Sequence, residues 1–162
     1  MKNVNKEYKL SNLIKKLILL RKEGLRIGFT NGCFDLLHKG HLYSISEAKK
    51  RCDYLIIGLN SDISVASLKG SDRPIDNQLN RVLKLSKLND VDAIIVFDDD
   101  TPLKLIMDIN PNILFKGIDY KHTKIVGSEF IIKNGGKVEL IDFLDGYSTS
   151  ISINNYSIKG NI

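Results

Sequence analysis

The stretch Thr30-Asn31-Gly32-Cys33-Phe34-Asp35-Leu36-Leu37-His38-Lys39-Gly40-His41 decides the fold. Ile27 and Phe29 ahead of it read as a strand, and after it Leu42, Ile45, Ala48 and Cys52 recur at helical spacing. His38-Lys39-Gly40-His41 therefore stands where a helix starts, just beyond the carboxyl end of the first strand of an α/β unit. Free N–H groups and the positive end of the helix dipole gather at such a turn and make it an anion site. Two histidines three residues apart share a helical face and add donors aimed at that anion. Gly40 lacks a Cβ, so backbone or phosphate approaches closely. Strand, turn, H-x-G-H and helix together read as a nucleoside triphosphate site.

Outward from that turn the chain alternates. Leu10, Leu13, Ile14, Leu17, Ile18 and Leu20 give an amphipathic helix over 10–22, ended by Gly24. Strands are expected at 26–30, 54–59, 93–97, 112–116 and 137–141. Helices are expected at 41–51, 78–88 and 102–109, with another ending near Gly135 and a last one beginning near Ser148. Asn60-Ser61-Asp62 closes the second strand, a polar loop fills 69–77, and Asp100-Thr101-Pro102 is expected to cap and open the helix at 102–109. Near-continuous apolar strands alternating with helices imply a Rossmann-like α/β fold, a doubly wound parallel five-stranded sheet in a single domain. The divisions read as an N-terminal helical extension over 1–24, the domain over 25–153 and a polar tail over 154–162. Ligands of such sheets sit outside the carboxyl ends of the strands. Neither a glycine-rich dinucleotide fingerprint nor a Walker A lysine loop follows strand one, so any phosphate chemistry uses the histidine turn.

Composition narrows the class. The 162 residues, 43% hydrophobic and 27% charged, suit one ordinary globular domain. No apolar run approaches the roughly 20 residues of a membrane span, and no secretory leader opens the chain. Cys33 and Cys52 make no disulfide framework, so the cytoplasm is the expected compartment. The net charge of +5 suits phosphorylated small substrates, whereas the 24 Lys and Arg are too scattered for a nucleic-acid stripe; neither nucleic acid nor a membrane is expected as partner. The two cysteines and the histidines lack zinc-site spacing. Asp98-Asp99-Asp100 invites a metal reading, but a helix cap accounts for Asp100, and no protein-ligated metal is expected. Cys33 reads as a small packing residue at a place open to alkylation.

Thr-x-Gly-x-Phe-Asp-x-x-His-x-Gly-His resembles the signature of the nucleotidylyltransferases that include glycerol-phosphate and phosphocholine cytidylyltransferases. Within them the chain is similar to the adenylyltransferase branch acting on D-glycero-β-D-manno-heptose 1-phosphate. The narrower likeness rests on Asn60-Ser61-Asp62, Leu68-Lys69-Gly70 with Arg73-Pro74, Asp99-Asp100-Thr101-Pro102 and Lys116-Gly117-Ile118-Asp119-Tyr120. Ile125-Val126-Gly127-Ser128, Asn134-Gly135-Gly136 and Asp145-Gly146-Tyr147-Ser148-Thr149 extend it over about residues 25–153. The chain departs from the branch at Ile118, where a glycine is usual, at Asn80 before Arg81, and at Ser150 after Thr149.

The resemblance implies attack by a sugar-phosphate oxygen on the α-phosphorus of ATP, with pyrophosphate leaving and Mg2+ carried mainly by phosphate oxygens and water. It implies His38, His41, Lys69 and Arg73 as catalytic residues, the last two as a clamp on substrate and pyrophosphate. Thr30, Asn31, Gly32, Phe34 and Gly40 would serve the phosphates, and Arg81 would touch the triphosphate. Lys116, Gly117 and Asp119 would cradle base and ribose. Ser148 and Thr149, at the start of the last helix, would offer a second phosphate-binding N-terminus. Asp35 is expected to hold the turn through local amides; Lys39 either reaches a phosphate or lies in solvent. The implied partners are ATP and a sugar 1-phosphate, a second copy in a homodimer, and a separate heptose kinase, since this branch is often fused to one and only a helix precedes strand one here. Helix 10–22 packs its apolar face either on its own sheet or on a partner. Two alternatives stay open: a CTP-dependent cytidylyltransferase on glycerol 3-phosphate or a similar alcohol, and a non-catalytic nucleotide-binding subunit.

Overall fold

All seven residues of β2 (Tyr54–Asn60) are buried, as befits a parallel strand covered on both faces. In the computed structural model, which describes residues 5–122 and 124–142, β2 joins β1 (Ile27–Gly32), β3 (Ala93–Phe97), β4 (Ile113–Gly117) and β5 (Lys137–Ile141). Every pairing is parallel, and the order is β3-β2-β1-β4-β5. The chain runs outward from β1 through β2 to β3, then crosses back to β4 and on to β5. The order therefore reverses between β1 and β4, and a crevice opens there at the carboxyl ends.

Helices cover both faces. Leu13 and Leu17 of α1 (Leu10–Lys22), Leu105, Ile106 and Ile109 of α5 (Leu103–Ile109) and Ile131 of α6 (Ser128–Lys133) share one core with Phe29 and Ile56. Ile45 and Ala48 of α2 (Lys39–Lys49) and Val82 and Leu85 of α4 (Gln78–Ser86) share the other with Leu55, Ile57 and Phe115. Leu13 and Leu17 are fully buried, so that part of the apolar face of α1 packs on its own sheet, while Ile18 stays 49% exposed. Residues 6–8 extend that attachment: Ile94 N–H donates to the Lys6 carbonyl at 2.8 Å, and Tyr8 N–H to the Ile94 carbonyl at 2.9 Å, pairing them with the β3 edge. Gly58 admits the close approach of β1 to β2; a Cβ there would stand 2.6 Å from the Phe29 ring and 3.1 Å from the Asn31 Cβ.

Several expectations need correction. A helix, α3 (Asp62–Lys69), follows β2 directly where only a strand end and a polar loop were expected. Ser61 caps it by accepting from Ser64 N–H, but eight residues with two buried positions give too short a periodic signal to read. Asp100 caps nothing: α5 starts from Pro102 without a side-chain cap bond, and Asp100 is exposed. β4 and α4 end one residue later and two residues earlier, respectively, than the patterns suggested. The helix expected near Ser148 and the tail 154–162 lie outside the described residues. Among those described, no helix is long and apolar enough to cross a membrane.

Candidate active site

β1 delivers the chain to the turn, and two non-glycine residues there, Phe34 and Leu36, hold left-handed φ values of 48°. Such conformations persist only where surroundings over-determine them. Phe34 is buried in the second core beside Ile45. The Asp35 carboxylate, also buried, accepts from Arg73 Nε at 2.9 Å and Nη2 at 2.6 Å, and from the N–H groups of Ile75 at 3.0 Å and Asp76 at 2.9 Å. Burial would raise its pKa, but those amides and the guanidinium together hold it below the usual carboxylate range. Asp35 thus holds the turn, though through amides some forty residues along the chain instead of local ones, and it fastens the 73–76 loop to β1.

The two histidines form the cap of α2. Gly40 N–H donates to His38 Nδ1 at 3.1 Å, and His38 N–H donates to His41 Nδ1 at 3.3 Å, a capping box in which imidazoles replace the usual hydroxyl and carboxylate. A neutral imidazole has one accepting nitrogen and one N–H. With both Nδ1 atoms accepting from backbone, each ring carries its proton on Nε2. The rings stack at 3.8 Å with 24° between their planes, and Phe34 flanks His41 at 5.3 Å. Burial lowers both pKa values. That of His41 falls to about 3, with the charges of His38 and Lys69 adding to the effect. The pair is therefore two neutral donors. His38 Nε2 is buried and has no hydrogen-bond partner among the described residues, an expensive omission unless a ligand completes it.

The cations are placed differently from one another. Lys69 ends α3, exposed, with its charge felt at Cys33 and His41. Arg73 is committed to Asp35. Arg81 departs from the expected triphosphate contact: it is fully buried and donates to the carbonyls of Asp76 (3.0 Å), Cys33 (2.7 Å) and Asn60 (2.6 Å) and to Asp62 Oδ1 (2.7 Å). It ties the exits of β1 and β2 to α3 and the loop, a positioning role that no local pattern announces. Lys116, at the end of β4, donates to Asn31 Oδ1 and lies 5.5 Å from the Tyr120 ring. Burial pushes it down to about 8, Asp119 opposing.

Thr30 and Gly32 line the half-buried end of β1, and Gly117 ends β4. Asp119 is exposed in the 3-10 turn Ile118–His122, and Gly40 is in the first turn of α2. Cys33 is half-buried, and burial raises its pKa, so it stays a thiol. Ser148 and Thr149 lie outside the described residues. Sequence reasoning missed the capping box, although the spacing of His38 and His41 is the Ncap–N3 spacing, and it missed the Asn60 Nδ2 to Ser64 Oγ bond (2.9 Å) that braces α3 on β2. Among the described residues, no group of three or more His, Cys, Asp or Glu is placed to hold a metal.

This arrangement has known counterparts. Residues 29–140 match the family model described as cytidylyltransferase-like. The bifunctional protein HldE of Rhodopseudomonas palustris (strain BisA53) is 52% identical over 130 residues, 80% of this chain and 26% of that protein. Its counterpart in Nitrobacter winogradskyi is 51% identical over 139 residues, 86% of this chain and 28% of that protein. The chain thus spans about a quarter of the length of the curated relatives it matches. A solved lipopolysaccharide core biosynthesis protein from Thermoplasma volcanium GSS1 superimposes with a TM-score of 0.60 at 26% identity, covering 77% of this chain and all of that one.

Proposed function

Because the chain belongs to the cytidylyltransferase-like family of nucleotidyltransferases, we propose that it transfers AMP from ATP to D-glycero-β-D-manno-heptose 1-phosphate, giving ADP-heptose and pyrophosphate. The likeness to the HldE proteins and to a lipopolysaccharide core biosynthesis protein favours the heptose branch. The observation that carries the chemistry is the buried, unpartnered Nε2–H of His38 stacked on the neutral His41. Two such donors at the N-terminus of α2 suit the α-phosphoryl oxygens and the bridging oxygen of the departing pyrophosphate. The sugar-phosphate oxygen attacks the α-phosphorus in line, and the protein's part is positioning and charge stabilisation. Magnesium would be carried mainly by the phosphate oxygens and water. The acceptor must come from a sugar-kinase reaction. By the same resemblance the working unit is a cytoplasmic homodimer.

The family description favours one second reading, a CTP-dependent cytidylyltransferase on a small phosphorylated alcohol. Pyrophosphate release decides between them, with ATP, CTP and GTP each crossed against the heptose 1-phosphate and glycerol 3-phosphate. Release with ATP and the heptose supports the proposal. Release only with CTP transfers the chain to the second reading, and tight nucleotide binding without release makes it a binding subunit.

A further inference from the structure

The buried cations around the cleft differ in what cancels them. Arg73 meets the Asp35 carboxylate at 2.6 Å, and Arg81 meets Asp62 at 2.7 Å. Lys116 is 8% exposed, yet among the described residues it has no carboxylate within 4.0 Å. Among the described residues its ammonium meets the amide oxygen of Asn31 and the face of Tyr120. A buried ammonium without a counter-charge is costly to hold. Its location explains why one stands there. Gly28 pairs with Ile113 and Phe29 with Leu114, which brings Asn31 beside Lys116 across the β1–β4 crevice. The uncancelled charge thus lies at the switch point of the sheet, where ligands enter.

We propose that Lys116 is the phosphate-binding cation of this crevice: its ammonium exchanges the Asn31 amide oxygen for a substrate phosphate oxygen. This rests on the nucleotidyltransferase reading and moves Lys116 from base and ribose to phosphate. The histidine pair brings donors without charge, Arg73 and Arg81 bring charge already cancelled, and Lys116 brings the uncancelled charge. Binding is then linked to protons. The groups facing Lys116 are Asn31 from β1 and Asp119 and the Tyr120 phenol from the 3-10 turn; its β5 neighbour is Leu140. Among these only Asp119 brings a negative charge, and burial leaves the lysine near 8. Without phosphate the lysine is therefore largely neutral above pH 8, and a bound phosphate restores the proton.

Calorimetry tests this. Pyrophosphate, ATP and a sugar 1-phosphate are titrated separately at pH 6.5 and 8.5, each in two buffers of different ionisation heat, into the wild type, Lys116→Arg and Lys116→Gln. The wild type is expected to take up about half a proton or more at pH 8.5 and little at pH 6.5. Lys116→Arg is expected to keep affinity within about threefold while losing that uptake; Lys116→Gln is expected to bind at least about tenfold more weakly. An effect confined to the triphosphate assigns Lys116 to the nucleotide; one confined to the sugar phosphate assigns it to the acceptor. Affinity of Lys116→Gln within twofold of the wild type for every ligand, with uptake unchanged in Lys116→Arg, overturns the inference. Thermal unfolding of each variant separates lost binding from lost structure. If wild type and Lys116→Gln release pyrophosphate equally, the inference fails and the transferase reading stands. If no pairing releases pyrophosphate but binding depends on Lys116, the transferase reading fails and the inference stands.

Discussion

Two lysines at opposite ends of the sheet lie against tyrosine rings, and burial treats them in opposite ways. Lys16, on α1 towards the amino ends of the strands, has its ammonium 5.1 Å from the centroids of both Tyr8 and Tyr54 and donates to Tyr8 Oη at 2.8 Å. That hydrogen bond outweighs burial and raises its pKa. Lys116, at the carboxyl ends, has one ring, one amide oxygen and deeper burial, and its pKa falls to about 8. The amino end reads as scaffold: Lys16 has Tyr8 as its partner, although the Tyr54 hydroxyl is buried there without a hydrogen-bond partner among the described residues. At the carboxyl end, His38 Nε2 has no hydrogen-bond partner and Lys116 no carboxylate among the described residues.

The largest effect expected is on a residue that spans scaffold and site. Arg81→Ala would leave the buried Asn60 carbonyl and the half-buried Cys33 carbonyl without their charged donor and free the turn, so unfolding in denaturant should show a loss of about 3–5 kcal/mol. If stability stays within 1 kcal/mol or so, Arg81 is not the tie that its geometry indicates. His41→Ala should divide the two ends cleanly. Pyrophosphate release should fall about 10²–10³-fold, while loss of the cap costs only about 1 kcal/mol of stability. A fall in stability large enough to explain the lost rate would place His41 with the scaffold.

The scaffold half of this contrast was largely legible and the site half only partly. Apolar runs such as Tyr54-Leu55-Ile56-Ile57 carry their own evidence for burial, and the parallel sheet follows from them. The histidine turn was legible because its chemistry is local: strand, turn, H-x-G-H, helix. Arg81 was not, because its four partners come from 5, 19, 21 and 48 residues away. Nothing in Asn80-Arg81-Val82 distinguishes a buried anchor from a phosphate contact. The Asn31–Lys116 pair is 85 residues apart and follows only from the β1–β4 register. The fate of α1 hung on a similar point, since an amphipathic helix states that it packs but not against what.

The histidine cap sharpens the comparison through pH. His41 is neutral when folded, with a pKa near 3, and titrates near 6.5 when unfolded. Between those values the unfolded chain binds the extra proton. Its contribution to stability is therefore complete above pH 6.5 and declines as pH falls towards 3, at up to about 1.4 kcal/mol per pH unit. His38, also lowered by burial, acts in the same direction. Denaturant unfolding at pH 6.5 and 5.0 should show that slope in the wild type and a shallower one in His41→Gln. Equal slopes would mean that the rings are already protonated or free in the folded state.

The smallest effect expected is at Lys16. Lys16→Met keeps an unbranched chain of similar reach against Tyr8 and Tyr54 and removes only the ammonium, so stability should fall by about 1 kcal/mol or less, the worth of one hydrogen bond and two cation–π contacts. KM and turnover should not move, because Lys16 lies away from the cleft and already has its partner in the Tyr8 hydroxyl. The same substitution at Lys116 removes the cation that protein does not cancel, and there the rate should fall with little change in stability, since a buried ammonium without a counter-charge costs folding energy to keep. Opposite columns of change for one substitution at two tyrosine-facing lysines would mean that what marks a functional charge in this fold is the absence of an internal partner, not burial or aromatic contact. Matching columns would dissolve that distinction.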